Sequence, residues 1–592
     1  MTEERKKRRR TSNVATALVQ AAAASAGVAV VSPSRLVDKL PVDLMAQMLG
    51  MLSLEEGVQL RTVSKQPGNR FVLPENKCPS FDAASLSDKQ VAAIVTSDVA
   101  LQTLQQALRL TRSLTLINHT RSLLLLSRLR LEQHLEALHF ESMLFLPNNP
   151  DLRPLSTLVK LHTLRIEGLL RGDLRPLSTL VGLKTLVLNQ YTDGELAPLA
   201  TLIKLESLEL DFYRQGDLRP VLQKLVKLHT LKLTKYQGEL TPVGTLVRLR
   251  LLEFGDRRTN LDLAPLQRLE QLRSLTLGVL SGNLASLSSL LQLETLSLFQ
   301  YNQVDGDLAP LAPLVRLQKL NLGGYKRGDL HTLASLVQLQ VLDLHSYEQG
   351  DLEPLSTLLK LHTLELDGYR DGDLRTLQTL LQLHTLKLTQ YEGDLTVVGT
   401  LVGLWSLQFG DRRTDLDLAP LQKLEQLRSL TLGVESGDLA PLSALLQLET
   451  LSLSQYRQVD GDLAPLAPLV RLQQLDLGWY KRGSLRALAS LVQLQVLDLH
   501  CYEEGDLQPL SNLLNLRTLK MDAYEEGDLT PLAKLVQLQT LYLSSYTIDN
   551  RVSPLTHLKQ LDELVLYHNR NSGEDAWQNL TRALPTTAII IR

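Results

Sequence analysis

Leu174-Arg175-Pro176-Leu177, followed by Leu180, Leu183, Leu186, Leu188, Tyr191, Gly194, Glu195 and then Leu196, is one copy of a phrase that fills most of this chain. Leu186-x-Leu188 alternates as a short half-buried strand does, with two side chains inward and the residues between them outward. A Gly-Asp or Gly-Glu turn and a Pro-Leu-x-x-Leu segment follow. Proline stands there at the start of a short helical turn, where its missing N–H is no loss. One turn cannot bury its own leucines, whereas stacked turns line them into a continuous core and pair their strands in parallel. Nineteen such strands are expected from Leu164 to Leu564.

Within a copied block, equivalent leucines recur every 21 to 24 residues, most often 22, and the same unit reaches back to Leu152 and forward to Leu566. Within that run a block of seven turns occurs twice. Leu240, Leu263, Leu284, Leu308, Leu330, Leu352 and Leu374 return 155 residues later as Leu395, Leu418, Leu439, Leu463, Leu485, Leu507 and Leu529, so 240–394 and 395–549 are tandem copies. A chain that grew by copying a structural unit is expected to work through an extended surface shared by several turns.

The Leu-x-x-Leu-x-Leu core of each turn resembles the leucine-rich repeat family over roughly residues 150–570, and the Asp-Leu-x-Pro-Leu phrase is most similar to its short internalin-like and phosphatase-regulator subclass. The resemblance implies an α/β repeat solenoid: a leucine-rich repeat horseshoe with a parallel β-sheet on its concave face, preceded by a small α-helical domain. The family's asparagine after the strand is present at Asn569 only. Thirteen of the fifteen tyrosines stand in its column instead, among them Tyr191, Tyr213, Tyr347 and Tyr502. A phenol cannot copy the asparagine's bonding, and a stacked tyrosine spine with hydroxyls reaching backbone or water is the expected substitute. The column breaks at Arg257, Leu280, Arg412 and Glu435.

Ahead of the repeats, Leu44, Met48, Leu49 and Leu52 share one face of a helix that Pro41 can start, and Leu60 and Val63 suggest a second helix. The run Leu40-Pro41-x-x-Leu44 through Leu60-x-x-Val63-Ser64-Lys65 resembles the F-box. That resemblance implies a segment that docks on Skp1 and joins a cullin-based ubiquitin ligase through Leu40, Pro41, Leu44, Leu49, Leu52, Leu60 and Val63. The same residues also read as a cap over the open end of the array. The expected organisation is a basic, alanine-rich tail (1–35), an F-box-like hairpin (36–71), a linker and helical cap (72–110), the repeat array (111–570) and a C-terminal cap (571–592).

The 592 residues are 44% apolar and carry a net charge of −2, which gives no global attraction to nucleic acid. No run resembles a spanning helix. Cys78 and Cys501 are too far apart in sequence to supply the disulfide caps common in extracellular repeat proteins, so a cytoplasmic or nuclear location is expected over a secreted one. Arg5 to Arg10 followed by the alanine-rich stretch to Val31 fits three readings: a nuclear-import patch, a secretory leader, or a solvated tail. The first is preferred because Gln20 interrupts the apolar run and a leucine-dense centre is missing.

Motifs that carry chemistry are sparse. Arg171-Gly172-Asp173 and Arg327-Gly328-Asp329 spell an integrin-binding tripeptide, but Gly-Asp recurs there for backbone reasons. His162, His229, His362 and His384 repeat without the spacing of a zinc site. The duplicated Gly255-Asp256-Arg257-Arg258-Thr259 and Gly410-Asp411-Arg412-Arg413-Thr414 read as solvated turns or as forks for acidic groups. With no phosphate loop, nucleophile elbow or paired acids, the chain is expected to have no catalytic residues, cofactor or metal. The candidate site is the outward strand face: Glu209, Asp211, Phe212, Phe299, Asp343, Glu365, Asp367, Asp476, Trp479, Asp498 and Tyr542. This polar, mildly acidic surface with aromatic anchors suits a protein partner of basic character, bound by a chain that is otherwise monomeric. The expected function is a non-enzymatic substrate adaptor of a Skp1–cullin ligase, or alternatively a repeat scaffold or internalin-like binder without a ligase connection.

Overall fold

The computed structural model describes Ser80–Ala83 and, with short interruptions, residues 101–141 and 151–591; the larger interruptions are 256–260, 299–306, 411–415, 454–461, 545–552 and 568–579. The F-box-like residues 36–71, the basic tail, Phe299 and the paired-arginine turns lie outside the described residues. The chain divides into two compact units, Met1–Leu277 and Gly278–Arg592.

In the first unit, strands at Ser80–Ala83, Ser113–Ile117, Ala137–Glu141, Thr163–Ile166, Thr185–Leu188, Ser207–Asp211, Thr230–Thr234 and Leu251–Gly255 each pair in parallel with the next. The sheet therefore begins inside the segment expected to be linker and helical cap. In the second unit the same one-after-another pairing runs from Thr295–Ser297 to Ala588–Ile591, so the C-terminal isoleucines supply its last strand. The sequence-expected nineteen strands are found between Thr163–Ile166 and Glu563–Tyr567. The helical side of the array is built from short 3-10 turns such as Arg175–Thr179 and Glu353–Thr357, with proline in the first turn as its missing N–H allows.

Each part of the repeated phrase has a physical task. The pattern leucines are buried, most of them completely. In the Gly-Asp turn, the aspartate Oδ1 accepts the backbone N–H two residues on, at 2.8 Å from Arg175 to Asp173 and 2.8 Å from Glu353 to Asp351, and so satisfies a donor at the helical start. The tyrosines stack as expected: ring centroids lie 5.8 Å apart for Tyr191–Tyr213, 6.0 Å for Tyr213–Tyr236 and 6.1 Å for Tyr325–Tyr347. Hydroxyls of the column donate to the glycine carbonyl of the preceding turn at several positions, Tyr191 to Gly172 at 3.1 Å and Tyr347 to Gly328 at 2.9 Å among them. Burial pushes the Tyr369 phenol up to about 12. The glycine of each turn lies under the ring: at Gly350, with φ +154°, an added Cβ would come within 1.7 Å of the Tyr347 oxygen. Where Phe254 and Phe409 take the strand position, Tyr236 and Tyr391 meet them edge-on and the flat stack stops. The Arg-Gly-Asp at 171–173 is thus explained by the repeat itself, Gly172 accepting a tyrosine hydroxyl and Asp173 capping.

Candidate interaction site

Strand pairing in the second unit sets one outward residue per turn into a row: Asn321, Asp343, Glu365, Lys387, Gln408, Thr431, Ser452, Asp476, Asp498, Lys520 and Tyr542. A second outward position two residues on brings His345 beside Asp343 and His500 beside Asp498. Apart from the exposed Gln408, these side chains are half-buried among their neighbours, so the row is a packed polar surface.

The densest part lies at Asp476, Asp498, His500 and Lys520. The His500 Nδ1 is 3.1 Å from Asp498 Oδ1, and the Lys520 ammonium donates to Asp498 Oδ2 at 2.7 Å. Burial works to raise the Asp498 carboxyl, but hydrogen bonds from the His500 ring, Lys520 and the His500 amide together outweigh it and hold the group at about 2. The same bond to Asp498 raises His500 against its burial. Donor atoms of Asp476, Asp498 and His500 all lie within 4.8 Å of one another, a separation that suits a cation. Lys520 already brings a positive charge to Asp498, so the cluster is satisfied as an ion-pair network.

Trp479 projects beside this cluster. It is 39% exposed and meets the His500 ring edge-on at 5.9 Å. Its φ of +72° lies in the left-handed region, as does the residue before the tyrosine in several other turns. A bulky side chain is costly there.

The first unit carries a comparable but tighter arrangement. Lys232 sits between Glu209, at 3.6 Å, and Glu253, at 4.0 Å. Thr234 donates to Asp211, whose carboxyl is raised, chiefly by burial. Phe212 also has a left-handed backbone, but the Lys235 ammonium covers its ring at 3.3 Å from the centroid. In the second unit Glu365 pairs with Lys387 at 3.5 Å, and the Asp367 carbonyl accepts the Ser346 N–H at 2.6 Å. The structure therefore brings Asp476, Trp479, Asp498 and, across Lys520, Tyr542 into one area, and Asp343, Glu365 and Asp367 into another. Glu209, Asp211 and Phe212 belong to the other unit.

Two features escaped the strand-face reading. His362, His384 and Trp405 form a staircase with centroids 6.2 and 4.4 Å apart, and the Arg428 guanidinium lies 5.6 Å from the Trp405 ring. These residues immediately precede their strands. The second feature is a column of exposed aliphatic side chains in the bend between helical turn and strand. It comprises Val159, Val181, Ile203, Val226 and Val247 in the first unit, and Leu291, Val315, Val337, Leu359, Leu381, Val402, Leu446, Val470, Val492, Leu514 and Val536 in the second. Sixteen of the nineteen exposed large apolar residues stand in this column, so it is no scatter of single side chains. The signal was present in the sequence as the second residue of each Leu-Val-x-Leu, masked by the buried leucines on either side.

No family model and no curated protein matches this sequence. Among solved structures the chain is similar to an internalin from Listeria monocytogenes, with 22% identity, a TM-score of 0.41, and coverage of 62% of this chain and 93% of that one. It is also similar to a leucine-rich repeat protein of Leptospira interrogans, with 19% identity, a TM-score of 0.44, and coverage of 64% and 99%. A third is the TLR13–ssRNA13 complex, with 19% identity, a TM-score of 0.48, and coverage of 83% and 75%. With paired parallel strands, capped 3-10 turns and buried leucine columns, the fold is a leucine-rich repeat solenoid. Among the described residues no helix is long and apolar enough to cross a membrane.

Proposed function

We propose that the protein is a non-enzymatic binding scaffold whose partner, a protein segment of basic character, docks on the outward strand face around Asp476, Trp479, Asp498, His500 and Tyr542. The observation that carries this reading is Trp479. It is a large aromatic held half-exposed in a backbone conformation that favours glycine, and the copy of the same turn has Gly324 there with φ +94°. The left-handed backbone makes a tryptophan costly for the fold at that point despite its edge contact with His500, whereas an interface gains a rigid anchor. Asp476 beside it, which accepts from the Ser452 hydroxyl and the Gly478 N–H, supplies a complementary charge for lysine or arginine.

The test is site-specific photocrosslinking, with the reactive residue placed at Tyr542 on the face or at Thr379 on the helical side. Crosslinks to one basic protein from the face position, lost with Trp479→Gly, support the reading. Crosslinks from Thr379 alone contradict it. The ligase connection rests on the F-box resemblance at Leu40 to Val63, outside the described residues, and is tested separately by co-purification with Skp1. Loss of binding in a Leu40→Ala/Pro41→Ala form supports the connection, and absence of binding by the native chain removes it.

A further inference from the structure

We infer that the exposed aliphatic column is a peripheral docking strip for an anionic lipid surface, separate from the strand face. The column is a position at which the two tandem copies were free to drift, since its side chains are 45–83% exposed and support no core. Across the eighteen turns from Val159 to Val536 it holds valine, isoleucine or leucine except at Glu270 and its copy Glu425, and the one change between the copies, Leu381 to Val536, keeps that class. Water-facing positions without a role do not hold one chemical class in this way, and contiguous exposed apolar surface marks an interface.

The neighbouring columns identify what covers it. The residue after each aliphatic is lysine, arginine, glutamine, asparagine or glycine in all eighteen turns, never an acid. The residue two places before it is likewise never acidic. Acid-free borders include Lys160, Lys204 and Lys227 in the first unit and Arg316, Lys360 and Arg471 in the second. The strand face differs in carrying acids, among them Asp343, Glu365, Asp476 and Asp498. A second copy of the chain would bring two such cationic borders together, which like-charge repulsion opposes. A partner helix needs a groove between walls, but these side chains protrude. The depression beside them, about 420 Å³, is lined by Gln473, Gln493, Gln495, Asn515, Arg517 and Gln537, with no member of the column.

A line of protruding aliphatics with cations alongside is the arrangement that lets apolar groups enter the headgroup boundary while lysine and arginine meet lipid phosphate. The run Leu291 to Val402 covers six consecutive turns, about 24 Å at the spacing of paired strands. It includes Leu381, the most exposed of all at 83%, with Trp405 on the adjoining turn at 49%. Tryptophan is the side chain best suited to the interfacial layer.

The experiment is co-sedimentation of the full chain with vesicles of phosphatidylcholine alone or mixed with phosphatidylserine, at low and high salt. The expected result is binding that requires phosphatidylserine and weakens with salt. Leu381→Glu combined with Val402→Glu should lower it about tenfold or more, and Lys360→Gln about fivefold. Glu425→Leu, which fills the gap in the column, should strengthen it. Circular dichroism confirms that each variant is folded. A folded native chain that ignores both vesicle types, equal binding to neutral vesicles, or indifference to the column variants would overturn the inference. So would column variants that abolish self-association or capture of an acidic peptide while vesicle binding stays absent.

Discussion

Residues 319–369 and 474–524 are one stretch of chain written twice, and what changed between the copies separates scaffold from surface. The tyrosine stack is unchanged: centroids are 6.1 Å apart for Tyr325–Tyr347 and 6.2 Å for Tyr480–Tyr502, and the Tyr347 and Tyr502 hydroxyls reach Gly328 and Gly483 at 2.9 and 3.0 Å. Of the pattern leucines in this stretch only Leu366 differs, becoming Met521. Even a lost cap was replaced, since Ser484 stands where Asp329 does and accepts the Arg486 N–H at 3.3 Å. The outward row tells the opposite story. In the first copy, Asn321 donates to Asp343 Oδ2 at 2.6 Å from the preceding strand; in the second, Lys520 does so for Asp498 at 2.7 Å from the following one. Asn321 became Asp476, Glu365 became Lys520 and Gly324 became Trp479. The core phrase is copied because the leucines and tyrosines leave no slack. The face is rewritten because the leucine and tyrosine packing does not constrain it, and under the proposed function partner choice is recorded there.

The comparison breaks first if the two cores respond differently to the same injury. Gly350→Ala and Gly505→Ala each drive a Cβ within 1.7 Å of a buried phenol oxygen, at φ +154° and +156°. Each is expected to destabilise its surroundings by about 3 kcal/mol or more, by like amounts, in denaturant titrations. Trp479→Gly sharpens the contrast from the other side. Stability should hold or rise by up to about 1 kcal/mol as left-handed strain is relieved, while partner affinity falls roughly thirtyfold, as for an interface anchor. Surface plasmon resonance with the crosslinked partner measures the second, and equal affinity of the variant would remove Trp479 from the site. Tyr347→Phe and Tyr502→Phe delete one hydrogen bond apiece and should each cost about 1 kcal/mol; a loss in one copy alone would show that the spines are not equivalent.

The smallest effect is one of pH. His500 is raised in the folded chain, so its bond to Asp498 contributes stability that is fully present below the ordinary histidine value and fades as pH rises through the raised one. Asp498, held at about 2, contributes stability present above the ordinary aspartate value and lost as pH falls toward 2. NMR titration of the His500 ring should give a midpoint above 6.5 that drops in Asp498→Asn. No drop would separate the two groups.

Most of the fold was legible because the repeat imposes period and register at once. Leu186-x-Leu188 could only be a strand, and Pro176 could only open a helical turn. The tyrosine spine was legible from its column, although the hydroxyl's partner, a glycine carbonyl one turn back, needed the stacking geometry. The strand at Ser80–Ala83 was hidden because Phe81 and Ala83 carry no leucine phrase. None of the described strand-face residues is fully buried, but how they group was not legible in the sequence. Which of them meet depends on register, and it is the pairing of neighbouring strands that brings Lys520 to Asp498. The aliphatic column was overlooked because, among so many leucines, a Leu-Val pair reads as core, and exposure rather than identity gives it meaning.

The most direct test of the central claim is a face exchange: Asp476→Asn, Trp479→Gly and Lys520→Glu together, which give the second copy the outward residues of the first and leave every leucine and tyrosine in place. The account predicts an unchanged unfolding transition and loss of the partner crosslinked at Tyr542. Retention of that partner at native affinity, on a chain that folds as before, would contradict it.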